Sequence, residues 1–142
     1  MRKTQIGWVF IIIVGGMFAA LPFIKSGGAS FAFTTQILLG FILFLFYRLT
    51  IIVDDEFVRF IFGIGLIRGK YKLSDIIQCQ PVRYFSLGWG IRLRPGVILF
   101  NVSGNKAIEL VIKGKRRKVW IGTDSPEEIA DFIQKKITKG VL

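Results

Sequence analysis

Two apolar runs near the N-terminus, Ile6 to Ile24 and Phe31 to Tyr47, are separated by only six residues. Neither holds a charged residue, and Lys25 lies just beyond the first. As a helix, the 19 residues of the first run reach roughly 28 Å, close to the ~30 Å of bilayer hydrocarbon. The 17 residues of the second are near the lower limit for a span, with Thr34, Thr35 and Gln36 in a polar first turn. The connecting segment, Lys25 to Ser30, extends at most about 21 Å, too little to recross the bilayer. These lengths predict an antiparallel transmembrane hairpin over residues 1–48, with spans at about 6–24 and 31–47, ahead of a domain over 49–142. Gly15 and Gly16 would let the two helices approach closely, although small residues suit any bilayer helix.

Basic residues orient such a hairpin. Arg2 and Lys3 precede the first run and Arg48, Arg59 and Arg68 follow the second, whereas the turn offers Lys25 alone. The expectation is a multi-pass protein of the cell membrane with both termini cytoplasmic. A cleaved signal peptide is the competing reading of the first run. Its length, beyond the 7–15 residues of a signal core, counts against that reading.

From Leu49 onward, short β-prone runs alternate with turn residues every 8–12 positions, the pattern of an antiparallel barrel or sandwich. Seven strands are predicted: Leu49–Val53, Phe57–Phe62, Leu66–Lys72, Gln78–Arg83, Gly96–Asn101, Ala107–Ile112 and Arg117–Gly122. Asp54-Asp55-Glu56, Gly63-Ile64-Gly65, Ser103-Gly104-Asn105 and Lys113-Gly114-Lys115 supply the turns, and a meander is the economical topology. A helix follows, with Ser125 as N-cap, Pro126 in the first turn and Glu128 placed for a capping box. Ile129, Phe132, Ile133 and Ile137 form its apolar stripe, which should cover one face or end of the sheet.

Seven short strands closed by one C-terminal amphipathic helix is the order of the pleckstrin homology (PH) superfold. Residues 48–137 resemble the membrane-tethered bacterial PH-like domains, a family of small proteins. The resemblance is carried by Leu87-Gly88-Trp89-Gly90-Ile91-Arg92, Asn101-Val102-Ser103-Gly104 and Ile121-Gly122-Thr123-Asp124-Ser125-Pro126-Glu127-Glu128. It implies the fold without the lipid pocket, because the first hairpin turn is Asp54-Asp55-Glu56, where phosphoinositide-binding members have cations. Three adjacent acids repel a phosphorylated headgroup.

Charge and missing residue types narrow the chemistry. The residues from Arg48 onward hold 17 Lys and Arg against all nine carboxylates, a balance of +8. Five cations crowd into Lys113, Lys115, Arg116, Arg117 and Lys118. That cluster is either a contact for anionic headgroups or a solvated hairpin tip that discourages edge pairing. It lacks the interleaved aromatics of a single-strand nucleic-acid surface, and no nucleic-acid partner is expected. Trp89, between two glycines, either reaches the membrane interface with Arg92 and Arg94 beside it or folds back as a core plug.

The chain has no histidine and one cysteine, Cys79. No nucleophile, base and orienting group assemble in the sequence, and no nucleotide loop is complete. The reading is therefore of a non-enzymatic module without cofactor or metal, recruiting a protein partner at the cytoplasmic membrane surface. An anionic-lipid sensor and an accessory subunit of a membrane enzyme or transporter are the alternatives. Integral contact with membrane lipids is expected, and an oligomer is compatible with the sequence.

Overall fold

The computed structural model describes residues 1–24, 28–85 and 90–141. The apolar runs form two helices, α1 (Trp8–Ala20), which tightens into a 3-10 turn at Leu21–Phe23, and α2 (Ala29–Phe46). Pro22 stands in that 3-10 turn and cannot donate to a continuing helical ladder. Among the described residues one helix, α2, is long and apolar enough to cross a membrane by length and composition; Trp8–Phe23 is shorter. Phe31, Phe33, Ile37, Leu38, Phe41 and Phe44 of α2 are exposed, so its apolar surface is not spent on a protein core. The helices pack near Gly40, where an added Cβ would lie 3.7 Å from the Phe18 ring. A Cβ on Gly15 or Gly16 would meet nothing within 4 Å, so the close approach expected there falls at Gly40 instead.

The helices are inserted into a sheet. Residues Arg2–Ile6, expected as the basic lead into the first span with Ile6 as its first residue, form β1. It pairs antiparallel with β2 (Arg48–Val53), from Arg2 opposite Ile52 to Ile6 opposite Arg48. β3 (Phe57–Phe62) and β4 (Ile67–Lys72) complete a four-stranded meander in the order β1-β2-β3-β4. The segment hid its strand character because it is short and polar. Gln5 is its one buried side chain, and its amide is held by the Asp124 carboxylate at 2.6 Å and the Ser103 carbonyl at 3.2 Å.

The second sheet holds β5 (Ile76–Arg83), β6 (Gly90–Arg94), β7 (Val97–Asn101), β8 (Lys106–Ile112) and β9 (Lys118–Gly122), in the order β5-β8-β9-β7-β6. The fold is thus α+β, with nine strands in two sheets and three helices among the described residues, and not a closed seven-stranded barrel. The expected meander holds for the first sheet only, because β7 runs parallel to β9. The connection from β7 to β8 does not turn back as a hairpin: β9 comes between the two strands, and β8, where Ala107, Ile108, Glu109 and Leu110 are all buried, pairs with β5 and β9. β6, which is not among the seven predicted strands, pairs with β7 through Pro95-Gly96, with Gly96 at φ +73°. Proline sets the first turn position and glycine the left-handed second.

The core between the sheets is built from Leu49, Val58, Phe62, Ile108, Leu110, Val119 and Ile121. α3 (Pro126–Val141) lays Ile129 and Ile133 into it against β5 and β8. The helix begins where the sequence puts it, with the Ile129 amide donating to the Ser125 carbonyl. The capping box does not close as expected: the Glu128 carboxylate pairs with Lys3 of β1 at 2.7 Å.

The strands have one end at the helices and one away from them. At the helix end lie Gly7, Tyr47, the β3–β4 turn and the end of β7. The Gly7 amide donates to the Tyr47 carbonyl at 2.9 Å, and a Cβ on Gly7 would fall 2.8 Å from the Val102 carbonyl oxygen. At the other end lie the β2–β3 turn, the 3-10 turn Leu73–Asp75, the β8–β9 turn and the C-terminal part of α3, joined by Lys136 to Asp55 and by the Lys113 amide to the Asp75 carbonyl.

Candidate functional site

The basic cluster is the tip of the β8–β9 hairpin, and Gly114, at φ +78°, permits its turn. Lys113, Lys115, Arg116 and Arg117 are exposed there. Lys115 stands over the Tyr71 ring, 4.6 Å from its centroid, which ties the tip to the end of β4. The seven residues of β8 separate this tip from the helix end by about 23 Å. That exceeds the ~8 Å over which exposed charges act at physiological salt.

The other predicted contact residues are dispersed. Lys118 donates to Glu109 at 3.1 Å, and the Arg94 guanidinium donates to the Phe85 carbonyl at 2.6 Å. Arg92 is half-buried on β6, opposite Leu99. Trp89 lies outside the described residues. The structure therefore brings Lys113, Lys115, Arg116 and Arg117 together, while Lys118, Arg92 and Arg94 belong to the outer face of the second sheet.

That face is organised around Glu109, which is 4% exposed. Its oxygens accept from Gln80 at 2.8 Å, Lys118 at 3.1 Å and the Trp120 indole at 2.8 Å. Burial alone would raise its pKa, but hydrogen bonds from Trp120, Lys118 and Gln80 outweigh it and hold the carboxyl below its usual value. Tyr84 rests on Trp120 at 5.7 Å over fully buried Leu99 and Ala107, and burial pushes its hydroxyl up to about 12. This is a structural network; a lone acid within the apolar run Ala107-Ile108-Glu109-Leu110 was the sequence signal for it.

Beside the basic tip opens a cleft of about 640 Å³ that the sequence did not announce. Phe57, Ile77 and Ile137 supply its apolar wall, and Lys72, Lys113 and Lys136 its cations. Asp55 also lines it, but Lys136 bonds that carboxylate and keeps its pKa below the usual value. Asp54 is paired with Arg59. Two of the three acids expected to repel an anion are thus neutralised in place, and the repulsion anticipated from Asp54-Asp55-Glu56 is correspondingly weaker.

Cys79 is buried, and its thiol is pushed up to about 12 by burial and then by the Glu109 charge. Among the described residues no group of three or more His, Cys, Asp or Glu side chains is arranged to hold a metal ion. No protein-family model matches the chain, and no curated protein matches it.

Proposed function

We propose that this chain is a non-enzymatic, membrane-anchored binding module whose helical hairpin holds a PH-like β domain at the cytoplasmic surface, where its far end receives a protein partner. The observation that carries the reading is the polarity of the molecule: apolar helices leave one end of the sandwich and the cationic tip occupies the other. With the helices in a bilayer, the tip faces away from that bilayer, toward the compartment where a partner would approach. Tethering raises the local concentration of the domain near the surface, so modest affinity suffices.

The pairing of β1 with β2 supports an entry and exit of the hairpin on one side, and Arg2, Lys3 and Arg48 favour the cytoplasmic side. Trp8 and Tyr47 stand at the same end of the helix pair, as interfacial aromatics do. Strands first and a single amphipathic helix last speak for the PH-like reading; β1, β6 and the parallel β7–β9 pair are departures from it.

Purification of the full chain in mild detergent tests this. The expected result is a protein retained in fixed ratio and lost when Lys113, Lys115, Arg116 and Arg117 are all replaced by Glu. A lone homo-oligomer overturns the reading. Salt-sensitive capture of anionic vesicles by the reconstituted chain would instead favour a lipid sensor.

A further inference from the structure

We infer that the cleft beside the basic tip is a docking site for an acidic peptide segment carrying a bulky apolar side chain. The inference rests on the proposed protein-recruiting role and names the chemistry of the partner.

The wall of the cleft has an unusual origin. Between Ile76 and Gln78 the register of β5 against β8 shifts, and Ile77 falls in the bulge. A bulge re-aims a side chain that the regular pleat would direct elsewhere. Ile77 is left 61% exposed, and with Phe57 and Ile137 it lines the cleft. An exposed isoleucine on a bulge, walled by two further apolar side chains, is an anchor pocket of the kind that dominates peptide recognition. The volume of about 640 Å³ lies within the ~300–1,000 Å³ range of ligand sites.

Charge selects the occupant. Lys136 is paired with Asp55, which leaves Lys72 and Lys113 against Glu56 in the lining, and Lys115, Arg116 and Arg117 continue the positive field from Lys113. An acidic segment would be drawn in and a basic one repelled. The mouth also reaches a sheet edge, since Lys72 ends β4, the outer strand of the first sheet; the outer edge of β5 is taken by α3, whose Gln134 accepts from the Cys79 amide. Extended peptides add at such edges through main-chain hydrogen bonds. The position of the cleft at the end remote from α1 and α2 favours a peptide over the lipid of the bilayer those helices would occupy.

The test uses the full chain in detergent and two fluorescein-labelled nonapeptides, one alternating Glu with Leu and one alternating Glu with Ser, read by fluorescence anisotropy. Saturable binding of the Glu/Leu peptide is expected, with at least a tenfold loss of affinity for the Glu/Ser peptide, for Ile77→Asp and for Lys113→Glu. Lys72→Glu is a second charge variant, and Ile77→Ser replaces Ile77→Asp if that variant does not fold. Absence of saturable binding overturns the inference, as does binding that follows peptide charge alone and is unchanged in the Ile77 variant. Binding of anionic vesicles but not of peptide overturns it too. If the cleft variants leave a co-purifying partner in place, the docking site fails while the recruiting role stands.

Discussion

The Gly7 amide donates to the Tyr47 carbonyl at 2.9 Å, and through that contact the strand pair β1–β2 passes directly into the helix pair α1–α2. Residues 2–6 are therefore part of the β domain, although 40 residues, 7–46, separate them in sequence from β2's neighbour Tyr47. A soluble fragment starting at residue 48 would expose one whole edge of β2, and exposed edges aggregate.

Replacing residues 8–46 with a two-residue Asn-Gly turn should yield a soluble, monomeric β domain, since Gly7 and Tyr47 already stand at hydrogen-bonding distance. Cooperative thermal unfolding and a β-type circular dichroism spectrum would be observed. Residues 48–142 alone should be less stable and prone to association. Equal stability of the two would show that β1 contributes nothing.

Gly63 has φ +47°, and a Cβ there would run into the Phe44 and Leu45 carbonyl oxygens of α2. Gly96 has φ +73° but open space around it. Gly96→Ala should lose about 1 kcal/mol through backbone conformation alone. Gly63→Ala should lose that and about 2 kcal/mol more through displacement of the helix end. Denaturant unfolding of the two variants in the same detergent checks the difference.

Glu109→Ala removes the acceptor for Trp120, Gln80 and Lys118 within a buried network, and a loss of about 2–3 kcal/mol is expected. Lys118→Ala, at the half-exposed side of the pair, should lose about 1 kcal/mol or less. The folded-state pKa of Glu109 lies below its ordinary value, so its contribution is full above the unfolded pKa and disappears as pH falls through the folded one. Stability measured downward from about pH 5 should therefore fall less steeply in Glu109→Gln than in the parent.

Much of the fold can be read from alternation and turns. β3 matches Phe57–Phe62 residue for residue, and the apolar stripe of α3 is the face that packs. What escaped the sequence depends on long-range partners. Arg2–Ile6 becomes a strand only because β2 lies beside it, and Gly90–Arg94 only because Pro95-Gly96 folds it onto β7. The parallel β7–β9 pair depends on β9 coming between β7 and β8, a choice of long-range partner that periodicity within one strand does not reveal. At the site, the cation run Lys113 to Lys118 was legible as composition. The division between the exposed tip and Lys118, bound to Glu109, was not, and the cleft required four segments distant in sequence.

Distance from the bilayer is the most direct test of the molecular polarity on which the account rests. A fluorophore is attached at Ile37→Cys, Leu66→Cys or Arg116→Cys in the full chain reconstituted into vesicles containing nitroxide-labelled lipid. Buried Cys79, with its thiol pushed up to about 12, does not compete for the label in the folded protein. Strong quenching at position 37, partial quenching at exposed Leu66 on the turn beside α2, and none at position 116 are predicted. Quenching at position 116 equal to that at position 66 would contradict the account, and loss of quenching at position 37 would contradict the membrane anchor itself.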